Sequence, residues 1–172
     1  MLLKLKFIDF ILRVILKVLP LIAFPKVNVW LYRKLGFDLH HTVRIYSSVQ
    51  IFGNINVKIG AGTFLGHETL ITGGQASIAI GENCDISDRV NIICGTHEID
   101  SEGVRSAGKG LGKNITIGNG VWIGFGSIIL PGITIGDKSI VAAGTVVHKN
   151  VHPRTIVGGN PMKIIRKLDD NG

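Results

Sequence analysis

His97, in the run Gly95-Thr96-His97-Glu98-Ile99-Asp100, is the side chain best placed to move a proton. Imidazole exchanges a proton near neutrality, which suits a general base acting on a bound hydroxyl or amine. The run opens residues 95–114, a stretch that reads as one structureless loop, and such loops in compact domains are usually functional or disordered. A carboxylate to orient the ring could come from Glu98, Asp85, Asp88 or Asp100. A solvated loop histidine is the plainer reading of the same residues. His148 and His152 stand at the spacing by which two histidines can share a zinc ion, but nothing near His97 completes a triad. No metal is expected.

What positions His97 is a period of six. Aliphatic residues stand at Ile117, Ile123, Ile129, Ile135, Val141 and Val147 without a slip. The next position is mostly tiny, as at Gly118, Gly124, Gly136 and Ala142, and the fourth is mostly small or β-branched, as at Val121, Ser127, Ser139 and Thr145. Neither a helix nor an ordinary strand asks for that period. A prism-shaped solenoid does, with one short strand per side, the aliphatic on the axis and glycine where the chain turns tightly. The 23 glycines in 172 residues fit it, with no Gly-X-Y period to suggest collagen. The fold class is therefore an all-β solenoid, a parallel β-helix of about five coils stacked roughly 4.8 Å apart.

The solenoid is expected to start near Val43, with extra residues at 73–77 forming a small loop. Thr96 would take the inward position of the repeat that starts at Ile92, leaving His97 pointing outward at a corner. Cys84 falls at a small inward position, where a buried thiol is expected. Two cysteines cannot make a disulfide framework, which agrees with a reducing cytoplasm. The domains are an N-terminal amphipathic segment over 1–42, the β-helix over 43–161 with its active-site loop 95–114, and a C-terminal extension over 162–172. Residues 162–168 read as a short basic helix or extension, and 169–172 as a frayed end.

The net charge of +7 is concentrated at the start of the chain. Residues 1–44 hold eight basic side chains against Asp9 and Asp38, while the remainder is nearly balanced. A nucleic-acid binder with a basic stripe across its core is disfavoured by that distribution. Lys6, Asp9, Arg13 and Lys17 share roughly an 80° arc of a helix, and Phe7, Ile8, Ile11, Leu12 and Ile15 fill much of the rest. No run of eighteen uncharged residues exists there, so a spanning helix is not expected. Residues 1–24 read as a basic helix lying in a membrane interface or packed on protein, ended by Pro20 and Pro25. Residues 28–35 suggest a second short helix, with Trp30, Tyr32, Arg33 and Lys34 suited to a headgroup layer and Gly36 as its stop.

Residues 85–166 resemble the hexapeptide-repeat, acetyl-CoA-dependent acetyltransferases, in the branch of galactoside, maltose and polysaccharide O-acetyltransferases. The residues that carry the likeness are Gly95-Thr96-His97, Ile117-Gly118-Asn119-Gly120-Val121-Trp122-Ile123-Gly124, Leu130-Pro131-Gly132-Ile133, Ala143-Gly144-Thr145 and Gly159-Asn160-Pro161-Met162-Lys163. The resemblance implies a left-handed β-helix and a homotrimer with active sites between adjacent prisms. It implies that His97 is the base and transfer is direct, with backbone N–H groups meeting the negative charge. It further implies that Trp122, Gly124 and Ala143 line the pantetheine cleft, and that Lys149, Lys163 and Arg166 stand near the phosphates of acetyl-CoA. It places Trp122 at the acceptor as well, where His67, near a position that is asparagine in some sugar acetyltransferases, Glu98 and Asp100 are the further candidates.

Two departures qualify the likeness. His148 stands where a threonine is common in the family, and the N-terminal segment does not match the family's short helical cap. A membrane-surface helix suits a lipid-linked or polymeric glycan made at the inner leaflet, so the expected activity is O-acetylation of a sugar hydroxyl on such a glycan or its precursor. The alternatives are N-acetylation of an amino sugar or nucleotide sugar, a γ-type carbonic anhydrase, and a non-catalytic β-helix scaffold.

Overall fold

The structure is a computed structural model that describes residues 2–18, 25–100 and 102–168. The expected helix stop at Pro20 and the frayed end at 169–172 lie outside the described residues.

Each coil contributes one short strand to each of three parallel ladders. The first face stacks Asp38–Leu39 on Lys58 and Ile59, then Ala79 and Ile80, Ile115–Ile117 and Thr134–Ile135. The second stacks Arg44–Ile45, Phe64–Leu65, Asp85–Ile86, Trp122–Ile123, Ile140–Val141 and Thr155–Gly158. The third stacks Gln50 and Ile51 under Leu70 and Ile71, Asn91–Ile93, Ile128–Ile129 and Val146–Val147. Thr116 pairs with Thr134, so a regular coil takes eighteen residues.

The period has a direct physical cause. Its aliphatic position is the axis of the prism: Ile45, Leu65, Ile86, Ile123, Ile129, Ile135, Val141 and Val147 are fully buried. Thr63, Ser127, Ser139 and Thr145 are equally buried, and their hydroxyls donate to corner carbonyls at Gly81, Gly124, His152 and Ala142. Buried hydroxyls need such partners. The tiny position reflects coil stacking: a Cβ at Gly124 would lie 2.6 Å from the Ala143 nitrogen in the next coil.

Two sequence expectations are corrected, and a third is decided for the extension of its two alternatives. The solenoid begins at Asp38 rather than Val43, because Asp38 and Leu39 already pair with the next coil. Residues 73–77 are not a loop. The strands Gln50–Ile59 and Leu70–Ile80 run side by side through the corner, slipping register between Asn54 and Ile55, with Gln75 in a left-handed conformation. Both coils carry extra residues at the same corner, so their backbone groups satisfy one another. Residues 162–168 are not helical either. Lys163–Lys167 is a strand antiparallel to Thr155–Gly158, and it covers the open edge of the second face.

Helix α1 spans Leu2–Val18 and α2 spans Pro25–Lys34. Pro25 opens α2 where a missing N–H costs nothing, and Gly36 closes it with φ +96°. Asn28 and Tyr32 fasten α2 to the first coil by donating to the carbonyls of Ile45 and Val49. α1 turns its charged side to the solenoid: half-buried Arg13 faces inward, bonded to Asp9 and to the Ile51 carbonyl, beside buried Leu16. Phe7, Phe10, Ile11, Val14 and Val18 face outward, Phe10 at 61% exposure. No helix among the described residues is long and apolar enough to cross a membrane.

Burial pushes the Tyr32 hydroxyl up to about 12, partly offset by Arg13. The folded form therefore resists ionisation, and its stabilisation is complete below about pH 10 and lost as pH rises towards about 12. Denaturant unfolding should show wild type losing about 2 kcal/mol across that window, while Tyr32→Phe starts less stable and lacks this part of the decline. Equal alkaline slopes would remove Tyr32 as the cause. Cys84 and Cys94 are free and buried, and burial raises both thiols.

Candidate active site

The chain leaves the third face after Ile93 and returns to the first at Ile115, and it folds what it inserts between them. Gly95–Ile99 pairs antiparallel with Ala107–Gly112, with His97 opposite Gly110. This hairpin corrects the expected structureless loop. Its root is clasped to the solenoid: Cys94 N donates to Thr72 O, Lys113 N to Cys94 O, and Ser77 N to Asn114 Oδ1. Cys94, not Thr96, takes the buried place at this point, and Thr96 is half-buried opposite Leu111. Glycine is required at the root, since a Cβ on Gly112 would fall 1.9 Å from the Gly74 oxygen.

His97 is exposed on this hairpin, with Nδ1 3.0 Å from the Gly108 carbonyl oxygen. A carbonyl only accepts, so the neutral ring carries its proton on Nδ1 and leaves the Nε2 lone pair free; this tautomer is assigned from the partner. The residue lines a depression of about 450 Å³ with Asn54, Gly74, Gln75, Thr96 and Leu111. Among the described residues the group bonded to the ring is thus a backbone carbonyl, and none of the four candidate carboxylates bonds to it. Asp100 accepts from the N–H groups of Glu102 and Gly103 and builds the hairpin turn. Asp88 accepts from His67 N, Asp85 is exposed beside Trp122, and Glu98 is exposed where the hairpin register slips.

His67 lies at a different edge, between the second and third faces. Its Nδ1 is 2.7 Å from Ser48 Oγ and its Nε2 3.3 Å from Glu68 Oε1. The bond from Arg89 to Glu68, more than any other influence, holds that carboxyl below its usual range. His67 borders a cavity of about 500 Å³ between α1 and the first two coils, shared with Arg13, Leu16, Tyr32 and Phe52. A ladder of corner bonds carries the same edge upward: Arg89 N to His67 O, Gly126 N to Asp88 O, and Gly144 N to Phe125 O. Gly124 and Ala143 sit on this edge, in contact across adjacent coils. Trp122 stands on the adjoining second face, 52% exposed, with its indole N–H 3.4 Å from Ser87 Oγ.

Within one protomer, then, Trp122, Gly124, Ala143 and His67 share one side, and His97 stands at the edge between the third and first faces. Lys149 lies at His97's edge in the last coil and borders a cavity of about 310 Å³ with Ile164 of the terminal strand. Lys163 and Arg166 are exposed on that strand. None of Lys149, Lys163 and Arg166 has a carboxylate partner among the described residues, so these cations fit a phosphate-bearing ligand. Among the described residues no group of three His, Cys, Asp or Glu side chains could hold a metal ion.

The residue that reading by side chain misses is Gly108, whose contribution is a carbonyl. Gly108, Gly110 and Gly112 alternate with the period of a strand, and that signal could have revealed the hairpin.

Residues 114–149 match the family described as bacterial transferase hexapeptide (six repeats), and residues 56–87 match the hexapeptide repeat of succinyl-transferase. The galactoside O-acetyltransferase of Escherichia coli K12 is 36% identical over 115 residues, covering 67% of this chain and 56% of that protein. A maltose O-acetyltransferase structure from Clostridium difficile 630 is 30% identical with a TM-score of 0.72, covering 98% of this chain and 89% of that one. A hexapeptide-repeat acetyltransferase from Vibrio cholerae, solved with acetyl coenzyme A, is 28% identical with a TM-score of 0.75, covering 97% and 88%. The matched part spans 45% to 58% of the length of the first curated relatives.

Proposed function

The chain belongs to the hexapeptide-repeat acetyltransferases, in the branch of the galactoside and maltose O-acetyltransferases, and from that premise we propose that it transfers the acetyl group of acetyl-CoA to a hydroxyl of a sugar acceptor. The observation that carries this reading is the bond between His97 Nδ1 and Gly108 O, which in the neutral ring leaves Nε2 free to accept a proton, on a side chain that lines an open depression. Acetyl-CoA supplies an activated acyl group as a thioester. His97 Nε2 takes the proton of the acceptor hydroxyl as its oxygen attacks, and returns that proton to the departing sulfur. Transfer is direct, within a ternary complex, and backbone N–H groups meet the negative charge that develops on the carbonyl oxygen. Lys149, Lys163 and Arg166 hold the phosphates, and Trp122, Gly124 and Ala143 line the pantetheine arm.

The working unit is a homotrimer. His97 and the Gly124–Ala143 side lie on different edges of one prism, so a site that uses both takes one edge from each of two copies. A head-to-tail contact of that kind closes after three subunits. His67 then faces the acceptor, with Trp122, Glu98 and Asp100 around it. The acceptor is a glycan or glycan precursor, lipid-linked or polymeric, met at the cytoplasmic face of a membrane that residues 1–24 touch. The outward apolar side of α1 supports that placement.

The test is release of free CoA thiol across a panel of galactosides, maltose, lipid-linked glycans, amino sugars and nucleotide sugars. The expected result is acceptor-dependent release with an alkali-labile ester product. An amide product would move the reading to N-acetylation, and release no greater than without acceptor would overturn it.

A further inference from the structure

We infer that the cleft between α2 and the first coil, bordered by Lys26, Trp30, Arg33, Lys34 and His41 over Val29, seats the phosphate of an anionic membrane lipid. The cleft encloses about 640 Å³. Its four basic side chains and Trp30 are all exposed, while Val29 forms a buried floor. Residues 1–44 contain two acids, Asp9 and Asp38, and each is engaged elsewhere, with Arg13 and with Lys58. Lys26, Arg33 and Lys34 therefore have no carboxylate partner among the described residues. Gathering them without a counter-charge is unfavourable unless an anion completes the group. Lys34 lies 5.8 Å over the Trp30 ring, an arrangement that sets an ammonium and an amphipathic ring side by side, as at a headgroup layer.

A soluble phosphate would satisfy the charges alone. The lipid is favoured by the neighbouring helix, whose outward side carries Phe7, Phe10, Ile11, Val14 and Val18 in one apolar stripe. Such a stripe is unfavourable in water, and α1 has already committed Arg13 and Leu16 to the solenoid. An anionic bilayer answers both needs, with acyl chains against α1 and headgroup phosphates in the cleft of α2. The inference rests on the reading that the acceptor is met at a membrane, and it names the groups that would hold the protein there.

The experiment is flotation of the full chain with vesicles of phosphatidylcholine, alone or mixed with phosphatidylglycerol, without acetyl-CoA. Acetyl transfer to a soluble sugar is measured separately, so failure to bind and failure to turn over are distinct results. Wild type should float with the mixed vesicles only. Lys26→Gln, Arg33→Gln and Lys34→Gln together should weaken that binding by about a hundredfold, leaving soluble transfer unchanged. Phe10→Ser with Val14→Ser should also release the protein, and inorganic diphosphate should compete only slightly. The inference is overturned if wild type ignores the anionic vesicles, if the triple variant binds as tightly, or if the α1 variant is unaffected. Full competition by diphosphate overturns the lipid in favour of a soluble anion.

Discussion

His97→Ala is expected to lower kcat for acetyl transfer by about two to four orders of magnitude, the usual worth of a positioned general base. The fold should not register the change, because the imidazole is exposed and, among the described residues, bonds to the Gly108 carbonyl, which can turn to water. KM for acetyl-CoA should hold, since the lost interaction acts on the transition state and not on the bound donor. Glu98→Ala is the informative control. A carboxylate orienting the ring would make it nearly as damaging to kcat as His97→Ala, whereas a backbone carbonyl in that role predicts a small effect on kcat, the lost acceptor contact appearing in the acceptor KM. The measurement is steady-state CoA release with circular dichroism and molar mass on the same preparations. Near-normal kcat in an intact His97→Ala protein removes the histidine from the reaction.

Why the sequence yields the prism so readily and the site only in part follows from what each depends on. Ile123, Ile129 and Ile135 are on the axis because every coil must bury one residue per face, so the requirement repeats and becomes visible as a period. Nothing repeats at residues 95–114, and the hairpin there is specified by small contacts, such as Gly112 lying against the Gly74 oxygen. The orienting group of His97 was invisible to any search among side chains, because it is main chain. α1 teaches a related limit. Helical periodicity separates Asp9 and Arg13 from Phe7, Phe10 and Val14, but it does not say which side turns inward. That was decided by a carbonyl at Ile51 within reach of the Arg13 guanidinium, and by Leu16 packing beneath it.

Insertions also explain why His97 stands out from the regular coils at one corner. The strands Gln50–Ile59 and Leu70–Ile80 both swell at the edge between the third and first faces, and the hairpin leaves the next coil there. Gly95 and Gly112 rest on the Gly73 and Gly74 backbone, so the swollen strands form a shelf under the hairpin. His97 is therefore held by three successive coils, although its own segment is an excursion from the solenoid.

A mixture of two inactive variants should recover activity that neither has alone. Ala143 is exposed on the edge that carries Gly124, so Ala143→Trp can obstruct that side of a cleft without entering the core. His97→Ala removes the base from the other edge. If each site joins His97 of one copy to Ala143 of the next, a trimer containing both variants has sites at which two intact edges meet. Random exchange in equal proportion makes about one site in four competent, so turnover should rise from near background to about a quarter of wild type. A site contained within one protomer predicts no recovery, because every chain would then carry a defect in its own site. The proteins are mixed under conditions that dissociate the oligomer, reassembled, and assayed beside each variant treated alike. Molar mass confirms reassembly, and wild-type protein taken through the same cycle sets the scale. Recovery near a quarter supports a site shared between subunits; turnover that stays at the level of the separate variants, in a fully reassembled mixture, would falsify it.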